Sequence, residues 1–248
     1  MVFPPNAFCF AELNTPESAL SARFYGELFG WTMEPVADGY WMFRMGGRDV
    51  VGVRRATDHF WVASLKVEDV DAYAALLARH RSSIVSPPVD VPGVSRACLI
   101  RDPEGAVLQL WQPQGVEGTA VETGPGSLWW IELATADKAA GSQYYASMFG
   151  WELTQTGKYE NGTHGYTLFK VNDQSTAGAF QLEPEWKAEP AWQVYFEVEN
   201  FDATAARACA LGGEQGFWRD APNAGRLGVI IDPGGGIFRI AQPNRSGT

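Results

Sequence analysis

The 248-residue sequence holds only three histidines and three cysteines, and it contains no long apolar run and no cluster of basic residues. Each shortage excludes a class of function. Nineteen Lys and Arg stand against 29 Asp and Glu, a formal net charge of −10, which leaves no footprint for a phosphate backbone or an anionic lipid surface. Neither nucleic acid nor membrane is therefore expected as a partner, and the charge reads as solubility. No apolar stretch reaches bilayer-spanning length. Met1-Val2-Phe3-Pro4-Pro5-Asn6 lacks a basic segment followed by an apolar core, so no signal peptide is expected and the cytoplasm is the default compartment. Cys9, Cys98 and Cys209 are an odd, widely spaced set that suits buried free thiols better than a disulfide framework. His59, His80 and His164 are scattered without ligand spacing and are read as structural.

What is present is a repeat. Phe8-Cys9-Phe10-Ala11-Glu12-Leu13 and a helix-like run ending Phe24-Tyr25-Gly26-Glu27-Leu28-Phe29-Gly30-Trp31 return as Leu128-Trp129-Trp130-Ile131-Glu132-Leu133 and Tyr144-Tyr145-Ala146-Ser147-Met148-Phe149-Gly150-Trp151. Arg101-Asp102-Pro103-Glu104-Gly105 returns as Ile231-Asp232-Pro233-Gly234-Gly235. Two domains are expected, over 1–114 and 127–245, each with its own core, joined by a polar linker over 115–126.

Each half divides again. Alternation predicts a strand over 8–14; Thr15-Pro16-Glu17 predicts a helix start with an N-cap and a first-turn proline, and Gly30 its stop. Strands over 31–36, 40–45 and 49–54 follow, separated by Asp38-Gly39 and Gly46-Gly47. A strand over 60–67, a helix from Val70 to about His80, and strands near 83–86, 95–101 and 106–112 complete the first half. The second half repeats the series. Its helices fall at 137–149 and 202–211, and its strands at 128–134, 151–156, 165–171, 176–182, 192–198, 214–218, 226–231 and 236–241. The units span about 8–57, 58–113, 128–187 and 190–243. The fold class is α+β: two tandem domains, each a pair of βαβββ units forming a curved, partly open eight-stranded sheet with a concave inner face.

The βαβββ pairing, with Phe-Tyr-x-x-x-Phe-Gly-Trp closing the first helix and Asp-Pro-x-Gly before the last strand, resembles the vicinal-oxygen-chelate superfamily, in its tandem-domain, glyoxalase-like branch. That superfamily includes glyoxalase I, bleomycin- and fosfomycin-resistance proteins and extradiol dioxygenases. The resemblance covers nearly the whole chain. It implies a divalent metal held by His or Gln on the first strand, His on the strand opening the second unit, and Glu on the last strand. Those positions fall here on Phe10, Val62 and Gln109, and on Trp130, Gln193 and Arg239. Neither set supplies a cation with ligands, so no metal and no cofactor are expected.

Strand alternation groups Phe8, Phe10 and Glu12 on one face, and Trp130 with Glu132 on the equivalent one. The candidate ligand contacts are Phe10, Trp41, Val62, Gln109, Trp111, Trp130, Gln193, Tyr195 and Arg239. Trp31, Trp151, Trp61 and Trp192 are read as core. Glu12 and Glu132 are candidate general acids or bases whose pKa apolar neighbours would raise. The competing reading makes them structural carboxylates tied to backbone donors or a cation, and their presence in both halves places that reading first. Arg239 is a candidate partner for Glu132. The expected function is binding of a small hydrophobic or aromatic metabolite in metal-free concave pockets, by a monomer or homodimer. The alternatives are a metal-independent isomerase, lyase or cyclase on a carbonyl or polyketide-like substrate using Glu12 or Glu132, and a metal-dependent glyoxalase or dioxygenase.

Overall fold

The computed structural model describes residues 3–77, 79–121, 123–156, 165–222 and 224–244. Its first half runs β1 (Phe8–Thr15), α1 (Ser18–Phe29), β2 (Thr32–Ala37), β3 (Tyr40–Met45), β4 (Arg48–Arg55), β5 (Phe60–Lys66), α2 (Val70–Leu77), β6 (Ser83–Val91), β7 (Ser95–Arg101) and β8 (Val107–Pro113). The second half runs β9 (Leu128–Thr135), α3 (Lys138–Phe149), β10 (Glu152–Thr156), β11 (Tyr166–Val171), β12 (Gln174–Gln181), β13 (Ala191–Glu197), α4 (Phe201–Ala210), β14 (Glu214–Ala221), β15 (Gly225–Ile231) and β16 (Ile237–Gln242). The sheets are ordered β2-β3-β4-β1-β5-β8-β7-β6 and β10-β11-β12-β9-β13-β16-β15-β14. Within each sheet the two βαβββ units join through an antiparallel pair of opening strands, Ala11 opposite Ala63 and Ile131 opposite Val194.

Both opening helices end on a left-handed glycine, Gly30 at φ 72° and Gly150 at φ 70°, whose N–H groups donate to Gly26 O and Ala146 O. The reversal drops Trp31 and Trp151 into the core, both nearly inaccessible. The start of α1 differs from expectation. Thr15 remains in β1, where its Oγ1 accepts from Glu17 N (2.9 Å) and meets His59 Nδ1 (2.9 Å), so the helix begins at Ser18.

Alternation fails at one residue in each opening strand. A β-bulge between Phe8 and Phe10 turns Phe8 to the helix side, 4.7 Å from the Trp192 ring, while Cys9 and Phe10 both join the concave face. The matching irregularity makes Trp129 the extra residue of β9, so Trp129 and Trp130 both pack beside Tyr195.

Separate cores do not form. The helix sides of the two sheets meet across β5 and β13 and build one continuous core, in which Phe196 lies 5.2 Å from both Trp31 and Trp61. The presumed polar linker is laid into this seam: Val121 is buried there, Thr119 N donates to Cys9 O, and Gly126 N donates to Glu197 O. The apolar residues of the short helices need more than one sheet to cover them, so burial favours a shared core.

The repeated motifs clasp the two halves. Tyr25 on α1 accepts from Trp61 Nε1 (2.8 Å) and donates to Asp232 Oδ2 (2.6 Å) in the other half. Tyr145 on α3 does the same with Trp192 Nε1 (2.8 Å) and Asp102 Oδ2 (2.8 Å). The Asp-Pro-x-Gly carboxylates also cap their own turns, Asp232 from Gly234 and Gly236 and Asp102 from residues 104–106. The copies differ in one partner. His59 Nε2 lies 2.8 Å from Asp232 Oδ2, and a Cβ on Gly234 or Gly236 would collide with its ring. In the other copy Glu104 instead binds Thr135 Oγ1 and the Ala136 and Asp137 N–H groups.

That difference separates the two carboxyls electrostatically. Burial pushes both up, but the hydrogen bonds from His59 and Tyr25 bring Asp232 below the ordinary carboxylate range, whereas Asp102 stays above it. Asp232 therefore contributes stability that is complete above the unfolded value near pH 4 and is lost as pH falls through its lower folded pKa. Asp102 has the opposite sign: its contribution is favourable at low pH and is lost as pH rises through its raised folded pKa. Urea unfolding between pH 3 and pH 7 should show the gap between wild type and Asp232→Asn narrowing as the solution is acidified. A gap that widens would contradict this assignment.

Candidate functional site

The first concave face is filled by its own side chains. Phe10, Tyr40, Met42, Val91, Val94, Ala97 and Trp111 form a separate buried cluster there, with Phe10 and Trp111 fully inaccessible and their rings 5.1 Å apart. Glu12, also fully inaccessible, lies at its centre. Arg54 Nε donates to Glu12 Oε1 (2.8 Å) and Gln109 Nε2 reaches the same oxygen (3.1 Å), while Ser64 Oγ donates to Gln109 Oε1 (2.6 Å). Burial opposes the charge on Arg54, but Glu12 outweighs it and raises the guanidinium pKa. The Glu12 carboxylate is thus consumed by a structural ion pair, and the candidate contacts Phe10, Val62, Gln109 and Trp111 offer no accessible surface. Trp41 faces the other way, packed on the shared core with the Arg55 guanidinium 5.5 Å over its ring. It is not a concave-face residue, because Tyr40 and Met42 take the inward positions of β3.

The second concave face is open by comparison. Trp129, Trp130, Gln193 and Arg239 are all half-buried, around a buried Glu132 and a buried Tyr195. Tyr195 Oη donates to Glu132 Oε2 at 2.5 Å, and Trp130 Nε1 donates to Tyr166 Oη at 2.8 Å. Burial, and then the Glu132 charge, raises the pKa of both phenols, so they stay protonated at neutral pH. Phe180 stands two residues past Gly178, just as Arg54 stands two past Gly52, so the arginine that pairs with Glu12 has no equivalent at that position beside Glu132. Arg239 does not replace it. Its guanidinium carbon lies 5.6 Å from the Tyr195 ring centroid, its Nε is buried without a partner among the described residues, and no ion pair joins it to Glu132 there. Gln193 Oε1 is likewise buried without a partner.

One device is common to both faces. Gly52 sits opposite Glu12 and Gly178 opposite Glu132. A Cβ on either would fall 2.1 Å or 2.0 Å from the hydroxyl of Tyr40 or Tyr166. The glycines admit a tyrosine against the carboxylate strand. Beside the second face, a cleft of about 290 Å³ runs along the seam between Phe3, Thr119, Thr176, Trp129 and Trp130.

The donor set does not fit a metal. The family positions supply carbon side chains at Phe10 and Val62, an engaged amide at Gln109, and an indole, an amide and a guanidinium at Trp130, Gln193 and Arg239. A guanidinium in the third position repels the cation that position would bind. Among the described residues no group of three or more His, Cys, Asp and Glu side chains is placed to hold an ion. His59 serves the clasp, His80 lies exposed in the turn after α2, and His164 falls outside the described residues. Cys9 and Cys98 are buried and burial pushes both thiols up, Cys98 to about 11; Cys209, expected to be buried, is exposed on α4. No helix among the described residues is long and apolar enough to cross a membrane.

Residues 9–110 match the model of the glyoxalase/bleomycin resistance protein/dioxygenase superfamily, and residues 130–241 match a glyoxalase-like domain model. The anthracycline biosynthesis protein DauV of Streptomyces sp. (strain C5) is 30% identical over 265 residues, covering 97% of this chain and 94% of that protein. The Mn(II)-bound glyoxalase from Novosphingobium aromaticivorans superposes with a TM-score of 0.65 at 16% identity, over 96% of this chain and 82% of that one. The 2,3-dioxygenase LapB from Pseudomonas sp. KL28 gives 0.65 at 11% identity, over 97% and 94%. At such identities the two structures speak for the fold alone. The chain belongs to the glyoxalase/bleomycin resistance protein/dioxygenase superfamily, as a tandem pair of its domains.

Proposed function

We propose that the protein binds a planar aromatic metabolite against the concave face of its second domain, without a metal. The observation that carries this reading is the contrast between the faces: the first is closed by Phe10, Met42 and Trp111, the second presents half-buried Trp129, Trp130, Gln193 and Arg239. Two neighbouring indoles with a few polar groups beside them suit a flat ring system that stacks and is oriented by hydrogen bonds. The likeness to an anthracycline biosynthesis protein supports a fused-ring, polyketide-type ligand. Calorimetric titration with anthraquinone-2-carboxylate as a fused-ring probe should show one binding event per chain, with the probe recovered unchanged. Trp130→Ala should weaken it about tenfold, the size of one lost aromatic contact. Undiminished affinity in that variant would remove the second face from the reading.

A second reading rests on Glu132, whose carboxylate accepts a hydrogen bond from the Tyr195 phenol. The Glu132–Tyr195 pair is placed to move a proton in a metal-independent isomerase, lyase or cyclase. Conversion of a bound polyketide-type compound, lost in Glu132→Gln with folding intact, would favour this reading over plain binding.

A further inference from the structure

We propose that Arg239 is an anion anchor, so that the second face takes aromatic ligands carrying an anionic pair of oxygens, such as a carboxylate or the enolate of a 1,3-dicarbonyl. The inference deepens the binding site proposed above and rests on that reading. Three observations converge on it. Arg239 is half-buried, yet its Nε is shielded from water with no acceptor among the described residues. Glu132, the nearby carboxylate, is engaged by Tyr195, and no ion pair takes up the Arg239 charge there. The Tyr195 ring lies 5.6 Å beneath the guanidinium carbon and Arg239 stands directly beside Tyr195 in the strand register, which fixes its place on the face.

A guanidinium presents a flat fork of donors that matches two coplanar oxygens, and it cannot shed its charge to escape desolvation. Three other half-buried guanidinium groups have carboxylates: Arg54 has Glu12, Arg44 has Asp49, and Arg96 has Asp71 and Asp90. Arg239 departs from that pattern at the position where the superfamily places a metal ligand. There a fixed cation takes over the task of meeting ligand oxygens. Trp129 and Trp130 supply the surface for the rings.

Calorimetry on the full chain tests this with anthraquinone-2-carboxylate and its methyl ester, which share the ring system and differ in the anion. The wild type should bind the acid about tenfold or more tightly than the ester, the discrimination expected of a charge-assisted hydrogen-bond pair. Arg239→Met should bring the two dissociation constants to within about threefold, and Arg239→Lys, which keeps the charge without the fork, should fall between. A preference for the acid that survives in Arg239→Met would overturn the proposal. Equal binding of acid and ester by the wild type, which needs no variant to fold, would overturn it and leave aromatic binding standing. Binding of neither would overturn both.

Discussion

Asp232→Ala should destabilise the protein by about 3–5 kcal/mol and lower Tm by roughly 10 °C, as buried networks of this kind lose when their charged centre is removed. One side chain serves four groups here. Its Oδ2 accepts from Tyr25 and meets His59, and its Oδ1 accepts from the Gly234 and Gly236 N–H groups. Truncation takes this acceptor from a buried phenol, an imidazole with 9% side-chain exposure and two turn amides at the seam between the halves. Tyr25→Phe removes one of the four groups on Asp232, together with the acceptor of Trp61 Nε1, and should cost less, about 1–2 kcal/mol. Denaturant unfolding of both variants checks the ratio. Equal losses would mean that the carboxylate matters only through the phenol.

Arg54→Met should cost about 3–5 kcal/mol, because it strips the counter-ion from a fully buried Glu12. Glu12→Gln should cost less, about 1–2 kcal/mol, since Arg54 has 22% of its side chain exposed and can turn to solvent. Joining Arg54→Met to Glu12→Gln should recover part of the loss of the first, as a double-mutant cycle in urea would show. If Arg54→Met were the milder change, Glu12 would not be held by this pair, and the first concave face would reopen as a candidate site.

Strands and helices were largely legible in the sequence because their signals are local. Asp38-Gly39 and Gly46-Gly47 bound β3 and β4 closely, and Gly30 and Gly150 end their helices at the expected residues. The site was less legible for two physical reasons. A bulge adds one unpaired residue without altering composition, so periodicity assigns Phe8 to the wrong face and leaves Trp129 unnoticed. Long-range pairing is the second: Arg54 meets Glu12 because β4 runs parallel to β1, and Tyr25 meets Asp232 across 207 positions. The repeat itself carries a signal of the clasp. Tyr25 and Tyr145, Asp102 and Asp232, and Trp61 and Trp192 recur together, and residues retained as a set while the pocket residues diverge belong to a shared clasp.

In the proposed function the second concave face takes the ligand and the first is sealed. The ten tryptophans report on both at once. Fluorine NMR of the full chain labelled with 5-fluorotryptophan, with each resonance assigned by single substitution, should show anthraquinone-2-carboxylate shifting Trp129 and Trp130 while leaving Trp111 in place. A shift at Trp111, with Trp129 and Trp130 unmoved, would contradict the account.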